Sequence, residues 1–559
     1  MAQYWAAFRE SFPFTATAFG ADAARDQLDD LRNEALSNWV ATIDKHLEAL
    51  AGINRGALSD ENMEHFQAFE WMLRSERAHF DHNSRFLTFT TMGGWHTDVP
   101  DIVLSMPYRA EEDFRDLIKL LSGVGAYADQ NIALLRQGIS TGFTQPCATL
   151  NGYQDTINSY TSELPGDSAF AEPFQQFPET LSQELQDELR KEAMQVIATV
   201  VDPAYRRFAT FFEKEYLPAC RAKIGLGALP GGPAAYAALL RYYTSLDVHA
   251  DAVHELGLRE VARIRAAMQG VIDAVGFEGD FADFLEFLRT DAQFYATDEQ
   301  SYLDRVAWVA KSIDGRLPLF FSRLPANPYG INAIPEATAE RSAAGYYQPG
   351  AADGSRAGQV YVNTYDLSSR PLYEIVALML HEGVPGHHLQ FSFQSESQDT
   401  PDWRRFYYFQ AYGEGWGLYS EWLGQEMGMY NTPYERFGRM ILEIWRAARL
   451  VVDTGIHAQG WSRQRAIDYM LTNTGLSRQN IVAEVDRYIT LPGQAVAYKY
   501  GELKIRELRQ RAEQFLGADF DARTFHVAVL EGGALPLAVL EVKIDKWLAQ
   551  QEVQTDQSR

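Results

Sequence analysis

The sequence predicts a mainly α-helical, large multi-helix fold with one small β-sheet. Apolar residues recur at spacings of three and four along most of the chain, which is the period of an amphipathic helix. Residues 358–364, by contrast, combine β-branched and aromatic side chains in the way that is typical of a strand. Because 46% of the 559 residues are apolar, the chain can bury a large core in two or more packed lobes.

Five predicted helical stretches and two linkers precede the strand. Helical periodicity covers residues 22–80, 110–137, 181–216, 234–243 and 250–275. Glycine and proline concentrate in residues 225–233 and 323–349, which indicates linkers. The strand at 358–364 follows the second linker. Pro371 then suits the first turn of a helix, and the apolar stripe of that helix leads to His381.

The charge of the chain limits its partners. Lys and Arg number 50 and Asp and Glu number 75, so the formal net charge is -25. An acidic surface of this kind repels phosphate backbones and anionic lipid headgroups. We therefore expect no nucleic-acid partner and no membrane partner, whereas the composition leaves the oligomeric state open.

The cysteine content and the first residues bear on the compartment. Only Cys147 and Cys220 are present, so we expect neither a disulfide framework nor a thiolate zinc cluster, and a metal would need His and carboxylate ligands. The N-terminus has no basic region followed by an apolar core, and no apolar run reaches the roughly 18 to 20 residues of a membrane span. These observations predict a cytoplasmic protein.

The segment HEGVPGHH, residues 381–388, carries the strongest functional signal. In the HExxH pattern of zinc hydrolases, two histidines four residues apart share one helix face, but here Pro385 follows His381 at that spacing. His387 and His388 do not fit a regular helix either, because six residues turn a side chain roughly 120° off the face and seven advance it about 10.5 Å. The Pro-Gly pair permits a two-residue bulge, which favours His387 over His388. The alternative is a helix that ends there with surface histidines.

Three glutamates complete the predicted site. Glu382 directly follows His381, in the position of a general base. In residues 412–421, Glu414 and Glu421 lie two helical turns apart on one face, and the three glycines of the segment each cost roughly 1 kcal/mol against Ala in a helix. This cost suggests close approach to the helix of His381. We expect Glu414 to be the third ligand and Glu421 to orient a ligand imidazole, although two solvated glutamates are the alternative.

Two later segments offer candidate hydrogen-bond donors to an oxyanion. His457 lies four residues after Asp453, so within one helical turn Asp453 could fix the tautomer of His457; a purely structural Asp-His pair is equally compatible. Residues 487–501 place a Pro-Gly turn before Tyr498, whose hydroxyl is a suitable donor; a purely structural role is equally compatible.

Four motifs resemble a bacterial family known as domain of unknown function 885: HEGVPGHHLQ, AYGEGWGLYSE, RLVVDTGIHAQGWS and RYITLPGQAVAYKYG. Weaker matches extend the resemblance over most of the chain. The family is usually placed among zinc metallopeptidases of the gluzincin type, with a Glu third ligand. It is similar in its helical character to angiotensin-converting enzyme, neurolysin and the carboxypeptidase Taq group. Many relatives resemble exported lipoproteins, from which this chain departs in its N-terminus.

The resemblance implies a zinc-metallopeptidase-like fold, with the small sheet beside the metal helix and a deep cleft. Residues 1–330 would form one wall of the cleft and residues 331–559 the metal-binding catalytic region, intertwined as one unit. The strand at 358–364 would line the cleft and pair with extended substrate. The residues implied or favoured for each role are His381, His387 and Glu414 as zinc ligands, Glu382 as base, and Tyr361, Asn363, Arg487 and Gln494 as substrate-binding residues.

The predicted function is that of a zinc-dependent hydrolase, a metallopeptidase that cleaves short peptides with one zinc ion. Zinc would lower the pKa of a bound water toward about 7, and Glu382 would take its proton and pass it to the leaving amine. His457 and Tyr498 are the predicted oxyanion donors, and Glu421, His388 and Asp453 are expected to support the site. The alternatives are a zinc amidohydrolase acting on a non-peptide substrate, and a non-catalytic helical binding protein. The second alternative does not explain Glu382, because a structural zinc needs no adjacent base.

Overall fold

The computed structural model describes residues 1–21, 23–340, 342–351, 354, 356–397 and 400–558. The described chain is mainly helical, as the periodicity predicts, and short 3₁₀ and π-helical turns join or extend many of the α-helices. The α-helices are α1 (Ala2–Ser11), α2 (Pro13–Ala18), α3 (Asn33–Ala51), α4 (Asp60–Asp81), α5 (Trp95–Ser105), α6 (Glu111–Thr141), α7 (Tyr153–Asn158), α8 (Gln183–Val196), α9 (Asp202–Phe211), α10 (Gly232–Thr244), α11 (Ala250–Val275), α12 (Phe281–Thr290), α13 (Glu299–Asp314), α14 (Glu336–Ala339), α15 (Ile375–Glu382), α16 (His387–Glu396), α17 (Asp402–Phe406), α18 (Gln410–Leu423), α19 (Pro433–His457), α20 (Arg463–Asn473), α21 (Arg478–Thr490), α22 (Ala497–Leu516), α23 (Ala522–Leu530) and α24 (Leu537–Ser558).

Helix boundaries follow the sequence where capping residues are clear. The helix predicted over residues 250–275 has those bounds in α11, because Gly276 adopts the left-handed conformation that ends a helix. The single stretch predicted over 22–80 is instead divided into α3 and α4, and the Ser59 side chain accepts a hydrogen bond from the backbone of Asn62 to begin α4. Periodicity alone does not reveal this division, because both helices bury apolar faces.

A three-stranded sheet contains β1 (Tyr329–Ala333), β2 (Gly345–Gln348) and β3 (Gly358–Val362) in the order β1-β3-β2. The central strand β3 pairs in parallel with β1 and in antiparallel with β2. The strand predicted over 358–364 is thus confirmed, but the linker expected at 323–349 is wrong, because it contains both edge strands. Since the β3 backbone is paired on both sides, β3 cannot pair with an extended substrate, and that expectation is also wrong.

The hydrophobic core is shared between the beginning and the end of the chain. Trp5 of α1 stacks on Phe406 with ring centroids 5.4 Å apart, and Phe69 of α4 packs against Trp403 at 5.3 Å. Each large apolar side chain buried in this way contributes roughly 1.5 to 3 kcal/mol. The division into two regions at residue 330 stays a prediction. Among the described residues, no helix combines the length and the apolarity that a membrane crossing needs.

Cys147 and Cys220 form a disulfide, with Cα atoms 5.1 Å apart. The sequence predicted no disulfide framework, and this single bond was not anticipated. The loops that carry them meet in a parallel bridge between Pro146 and Arg221, where the backbone nitrogen of Cys147 donates to the Arg221 carbonyl at 3.0 Å. This pairing joins positions 73 residues apart, and it depends on tertiary packing that the cysteine count does not reveal.

Candidate metal centre

The segment that carries the two histidines is a break between two helices. Helix α15 ends one residue after His381, and α16 begins at His387. A Cβ atom on Gly386 would lie 1.9 Å from the carbonyl oxygen of His381, so only glycine permits this turn. The indole nitrogen of Trp416 donates to the Pro385 carbonyl at 2.7 Å and holds the turn against α18. The predicted bulge inside one helix is thus a complete interruption, which brings the two imidazoles together by a different route.

Three potential ligand atoms converge between α15, α16 and α18. Oε2 of Glu414 lies 3.7 Å from Nε2 of His381 and 3.8 Å from Nε2 of His387, and the three atoms lie within 4.8 Å of one another. These separations are too long for hydrogen bonds. Ligands held about 2.0 to 2.1 Å from a tetrahedral zinc ion lie about 3.3 Å apart, and two imidazoles with one carboxylate leave a fourth position open. The donor types therefore suit a metal ion that keeps an open position, and the three atoms would have to move closer together to hold zinc.

The hydrogen bonds of both imidazoles leave Nε2 available. Nδ1 of His381 donates to Oε1 of the buried Glu421 at 2.8 Å, because an ionised carboxylate can only accept. Nδ1 of His387 lies 3.4 Å from Oε1 of Gln390, to which it donates. Glu421 thus takes the orienting position predicted for it. Gln390 was not predicted, although its place three residues after His387 on a helix is a spacing at which side chains meet.

The ionisable groups of the triad are strongly coupled. Burial disfavours the charged form of His381, but the nearby carboxylates of Glu414 and Glu421 outweigh it and raise the pKa of His381 to about 10. Burial and the neighbouring charge of His381 lower the pKa of His387 to about 4. Burial raises the pKa of Glu414, yet its contacts with both imidazoles lower that pKa to about 2. A cation that occupied the site would displace the proton of His381.

Glu382 is half-buried at the end of α15, next to the triad. Burial raises its pKa, the charge of His381 lowers it, the carboxylate of Glu414 raises it, and the Arg446 guanidinium lowers it, with a net value of about 7. A carboxylate whose pKa lies near neutral pH can both accept a proton and return it. The position therefore suits the general base predicted from the His-Glu pair.

The glycines of α18 serve three different contacts. A Cβ atom on Gly417 would lie 2.6 Å from Cε1 of His381, so the predicted close approach to the metal helix is confirmed there. Gly415 instead faces the backbone of α22, and Gly413 faces the ring of Tyr408. The hydroxyl of Tyr408 donates to Oε1 of Glu414 at 3.1 Å. Sequence reasoning missed Tyr408, because it precedes α18 and has no helical spacing to Glu414.

His388 is engaged on both ring nitrogens and does not belong to the triad. Nε2 donates to the carbonyl of Asn327 at 3.0 Å, and Nδ1 accepts from the hydroxyl of Tyr347 at 2.9 Å. Asn327 lies just before β1 and Tyr347 lies on β2, so His388 attaches the sheet to α16. The small sheet therefore lies beside the metal-centre helices, as expected, and His387 is the histidine that faces Glu414.

The predicted pairing of Asp453 with His457 is wrong. Nδ1 of His457 accepts from the backbone nitrogen of Leu226 at 3.0 Å, and Nε2 donates to the carbonyl of Tyr488 at 2.9 Å. With both nitrogens occupied and 1% of its surface exposed, His457 cannot donate to an oxyanion, which corrects its predicted catalytic role. Asp453 accepts instead from the hydroxyl of Tyr236 at 2.6 Å and from the backbone of Gly493 at 3.0 Å. Asp453 thus holds the Pro-Gly turn before α22.

The strand residues also have other roles than predicted. Asn363 is fully buried, and its amide nitrogen donates to three backbone carbonyls of residues 339–343, the shortest at 2.7 Å. Its oxygen accepts from the backbone of Tyr365 at 3.0 Å, so no group is free for a substrate and the substrate-binding prediction is wrong for Asn363. Tyr361 is partly exposed and stacks on Tyr346 with centroids 4.9 Å apart. A substrate-binding role for Tyr361 stays a prediction.

A polar group near the N-terminal end of α18 contains Arg487, Gln494 and Tyr498. Nη1 of Arg487 donates to Oε1 of Gln494 at 2.7 Å, and Nε2 of Gln494 lies 3.4 Å from Oε1 of Gln410, four residues before Glu414 on α18. Tyr498 is partly exposed on α22. Burial and the Glu414 carboxylate raise the pKa of the Tyr498 hydroxyl, which stays protonated at neutral pH and can donate a hydrogen bond.

The fold and the site define a mainly helical protein with a His-His-Glu candidate metal centre beside a three-stranded sheet. The chain belongs to the family described as "Bacterial protein of unknown function (DUF885)", whose family model matches residues 13–544. It is similar to the crystal structure of the "putative lipoprotein" from Colwellia psychrerythraea, with 28% identity, 97% of each chain covered and a TM-score of 0.92.

A second solved structure shares the fold. It is the "putative lipoprotein of unknown function" from Shewanella oneidensis, with 15% identity, 97% of this chain and 98% of that chain covered, and a TM-score of 0.74. No protein with a curated description matches this chain. The similarities therefore establish the family and the fold.

Proposed function

We propose that the protein is a zinc-dependent hydrolase, and that it is a gluzincin-like metallopeptidase acting on short peptides. The observation that carries the proposal is the convergence of Nε2 of His381, Nε2 of His387 and Oε2 of Glu414, with both Nδ1 atoms engaged elsewhere. This donor set leaves room for a reacting group, unlike the four-ligand sites of structural zinc. The deep cleft expected from the resemblance stays a prediction.

The residues around the triad have the roles that amide hydrolysis requires. A bound zinc ion would supply Lewis acidity and activate water. Glu382, half-buried beside His381, would take the proton of the attacking water and deliver it to the leaving amine, which its pKa of about 7 permits. Tyr408 would hold the Glu414 carboxylate in place. Tyr498 would donate its hydroxyl hydrogen to the developing oxyanion, as the remaining candidate after His457 is excluded.

The first experiment measures metal content per chain in protein purified without added metal, beside the same measurement on His381→Ala and Glu414→Ala. We expect about one zinc in the parent protein and little in both variants, because each variant removes one of three ligands. A metal content that neither substitution changes would mean that the ion binds elsewhere, and it would contradict the proposed centre.

The second experiment tests the reaction with a library of short peptides. Glu382→Gln should retain zinc and lose hydrolysis by a factor of roughly 10² to 10⁴, since the amide cannot take a proton. Glu507→Gln is a suitable control, because Glu507 is exposed and forms only a surface ion pair with Lys504. A fully active Glu382→Gln protein would contradict the mechanism. Zinc binding without cleavage of any peptide, but with cleavage of a non-peptide amide, would shift the proposal to an amidohydrolase.

A further inference from the structure

Beside the triad, two arginines share one carboxylate. Nη2 of Arg449 and Nη2 of Arg487 lie 3.1 Å and 2.9 Å from the same oxygen, Oε2 of Glu484. Tyr488 donates to that oxygen at 2.7 Å and accepts from Nε of Arg449 at 3.0 Å. We call Arg449, Arg487, Glu484 and Tyr488 the arginine cluster. Its formal charge is +1, because two guanidinium groups face one carboxylate.

The excess charge lies in a buried position. Arg449 is 4% exposed, and its guanidinium group is sandwiched between the rings of Trp445 and Tyr498, at 4.4 Å and 4.5 Å. Its Nη1 atom is buried and has no hydrogen-bond partner within the described part of the chain. A buried cation without a matching anion is costly. The arginine cluster is thus short of one negative charge and of one acceptor.

The arginine cluster is linked to the candidate metal centre through side-chain contacts. Arg487 contacts Gln494, which contacts Gln410, and Gln410 lies one helical turn before Glu414. Tyr498, which packs on Arg449, is the partly exposed side chain between the arginine cluster and the site.

We propose that the arginine cluster binds the free α-carboxylate of the substrate, so that the enzyme cleaves near the C-terminus of a peptide. This inference rests on the proposed function, because it assigns the substrate class of the same site. A carboxylate would supply the missing charge and acceptor, and guanidinium groups match its planar geometry. The overall charge of -25 makes such a local positive site the more necessary for an anionic ligand.

The test compares peptides of identical sequence that end either in a free carboxylate or in an amide. For the zinc-loaded wild-type protein, we expect kcat/KM to be at least tenfold lower for the amide. Arg487→Met should lower kcat/KM 10- to 100-fold for the free acid and less than threefold for the amide. Arg463→Met is the matched control, because Arg463 of α20 pairs with Asp486, which lies on α21 outside the arginine cluster. This control should leave the ratio of kcat/KM for the acid to kcat/KM for the amide unchanged.

Equal cleavage of acid and amide by the wild-type protein would overturn the proposal, whether or not the Arg487→Met protein folds. A decrease in kcat/KM that is equal for the acid and the amide peptide in Arg487→Met would also overturn the proposal. A binding measurement separates this inference from the peptidase reaction. Calorimetry of Glu382→Gln with a tripeptide and its amide should show at least tenfold tighter binding of the acid, even if no peptide is hydrolysed. Equal or undetectable binding of both forms would count against the carboxylate site.

Discussion

A buried hydrogen bond of 2.8 Å joins Nδ1 of His381 to Oε1 of Glu421. The bond holds the imidazole so that Nε2, and not Nδ1, faces Glu414. Because Glu421 lies on the same helix as Glu414, two turns further on, one element positions both the carboxylate of the triad and the orientation of an imidazole. The geometry of the candidate metal centre therefore depends on the packing of α18 against α15.

Substitution of Glu421 tests this relationship. Glu421→Gln keeps the shape of the side chain but removes the charge that strengthens the hydrogen bond to His381. We expect zinc affinity to fall 10- to 100-fold, as is usual when such a supporting group is lost. Competition with a chelator of known affinity measures the change, and Glu507→Gln is the control. Unchanged affinity would show that α15 and α18 orient His381 without this carboxylate.

The two adjacent histidines should behave differently. His387→Ala should lose the metal, because it removes one of the three convergent atoms. His388→Ala should retain the metal and lower the free energy of unfolding by about 1 to 3 kcal/mol, since it leaves the half-buried carbonyl of Asn327 and the hydroxyl of Tyr347 without their partner. Metal analysis together with urea unfolding checks both expectations. Metal loss in His388→Ala with retention in His387→Ala would reverse the assignment.

The close contact of Gly417 gives a steric test. Gly417→Ala places a methyl group 2.6 Å from Cε1 of His381, which must shift the imidazole away from Glu414. We expect at least a tenfold loss of zinc affinity in the chelator assay. Gly270→Ala on α11 is the matched control, because nothing lies within 4 Å of its added carbon. This control should leave zinc affinity unchanged and stabilise the helix by up to about 1 kcal/mol.

Asp453 predicts a pH dependence of stability. Burial raises the pKa of Asp453 to about 7, while an unfolded Asp titrates near 3.8. Since the folded-state pKa is the higher one, ionisation costs stability as the pH rises from about 4 to 7, by up to roughly 4 kcal/mol. Asp453→Asn cannot ionise and can retain the hydrogen bonds to Tyr236 and Gly493.

Urea unfolding of the wild-type protein and of Asp453→Asn at pH 5 and pH 8 isolates this contribution. The other titrating groups are common to both proteins and cancel in the difference. The variant should gain stability relative to the wild type on going from pH 5 to pH 8. A difference that is constant with pH would show that Asp453 is ionised at both values.

The disulfide should contribute measurably to stability. It closes a loop between residues 73 apart, which corresponds to roughly 4 kcal/mol of unfolded-state entropy. Replacing Cys147 and Cys220 together by Ala should lower the free energy of unfolding by about 2 to 5 kcal/mol. Added reductant should lower the free energy of unfolding of the wild-type protein only. Two titratable thiols in the native protein would contradict the bond. Because disulfides persist in oxidising compartments, thiol state in cells also tests the expected cytoplasmic location.

Much of the candidate site could be predicted from spacing along the chain. Glu414 and Glu421 share a helix face because their separation of seven residues is two turns, and the structure places both beside His381. The role of Gly417 followed from the energetic cost of glycine in a helix. These predictions succeeded because the relevant residues lie on one element, where helix geometry relates sequence distance to spatial distance.

Other predictions failed where a side chain finds its partner far away in the sequence. Asp453 and His457 have helical spacing, yet His457 bonds to Leu226 and Tyr488, and Asp453 bonds to Tyr236. Asn363 satisfies backbone carbonyls and is not free to bind substrate. Buried polar groups take whichever partners the packed elements present, and a single sequence does not show which elements those are.

The sequence by itself determined the mainly helical class, the helix face that carries Glu414 and Glu421, and the His-Glu pair at the end of an apolar helix. Only the tertiary structure decided between His387 and His388, placed β3 in the centre of the sheet, joined Cys147 to Cys220, and brought the arginine cluster beside the triad. The physical reason is the sequence distance over which each kind of interaction acts. Periodicity and capping act within a few turns of the chain, whereas ligand geometry, strand order and charge balance arise from contacts between elements that packing alone brings together.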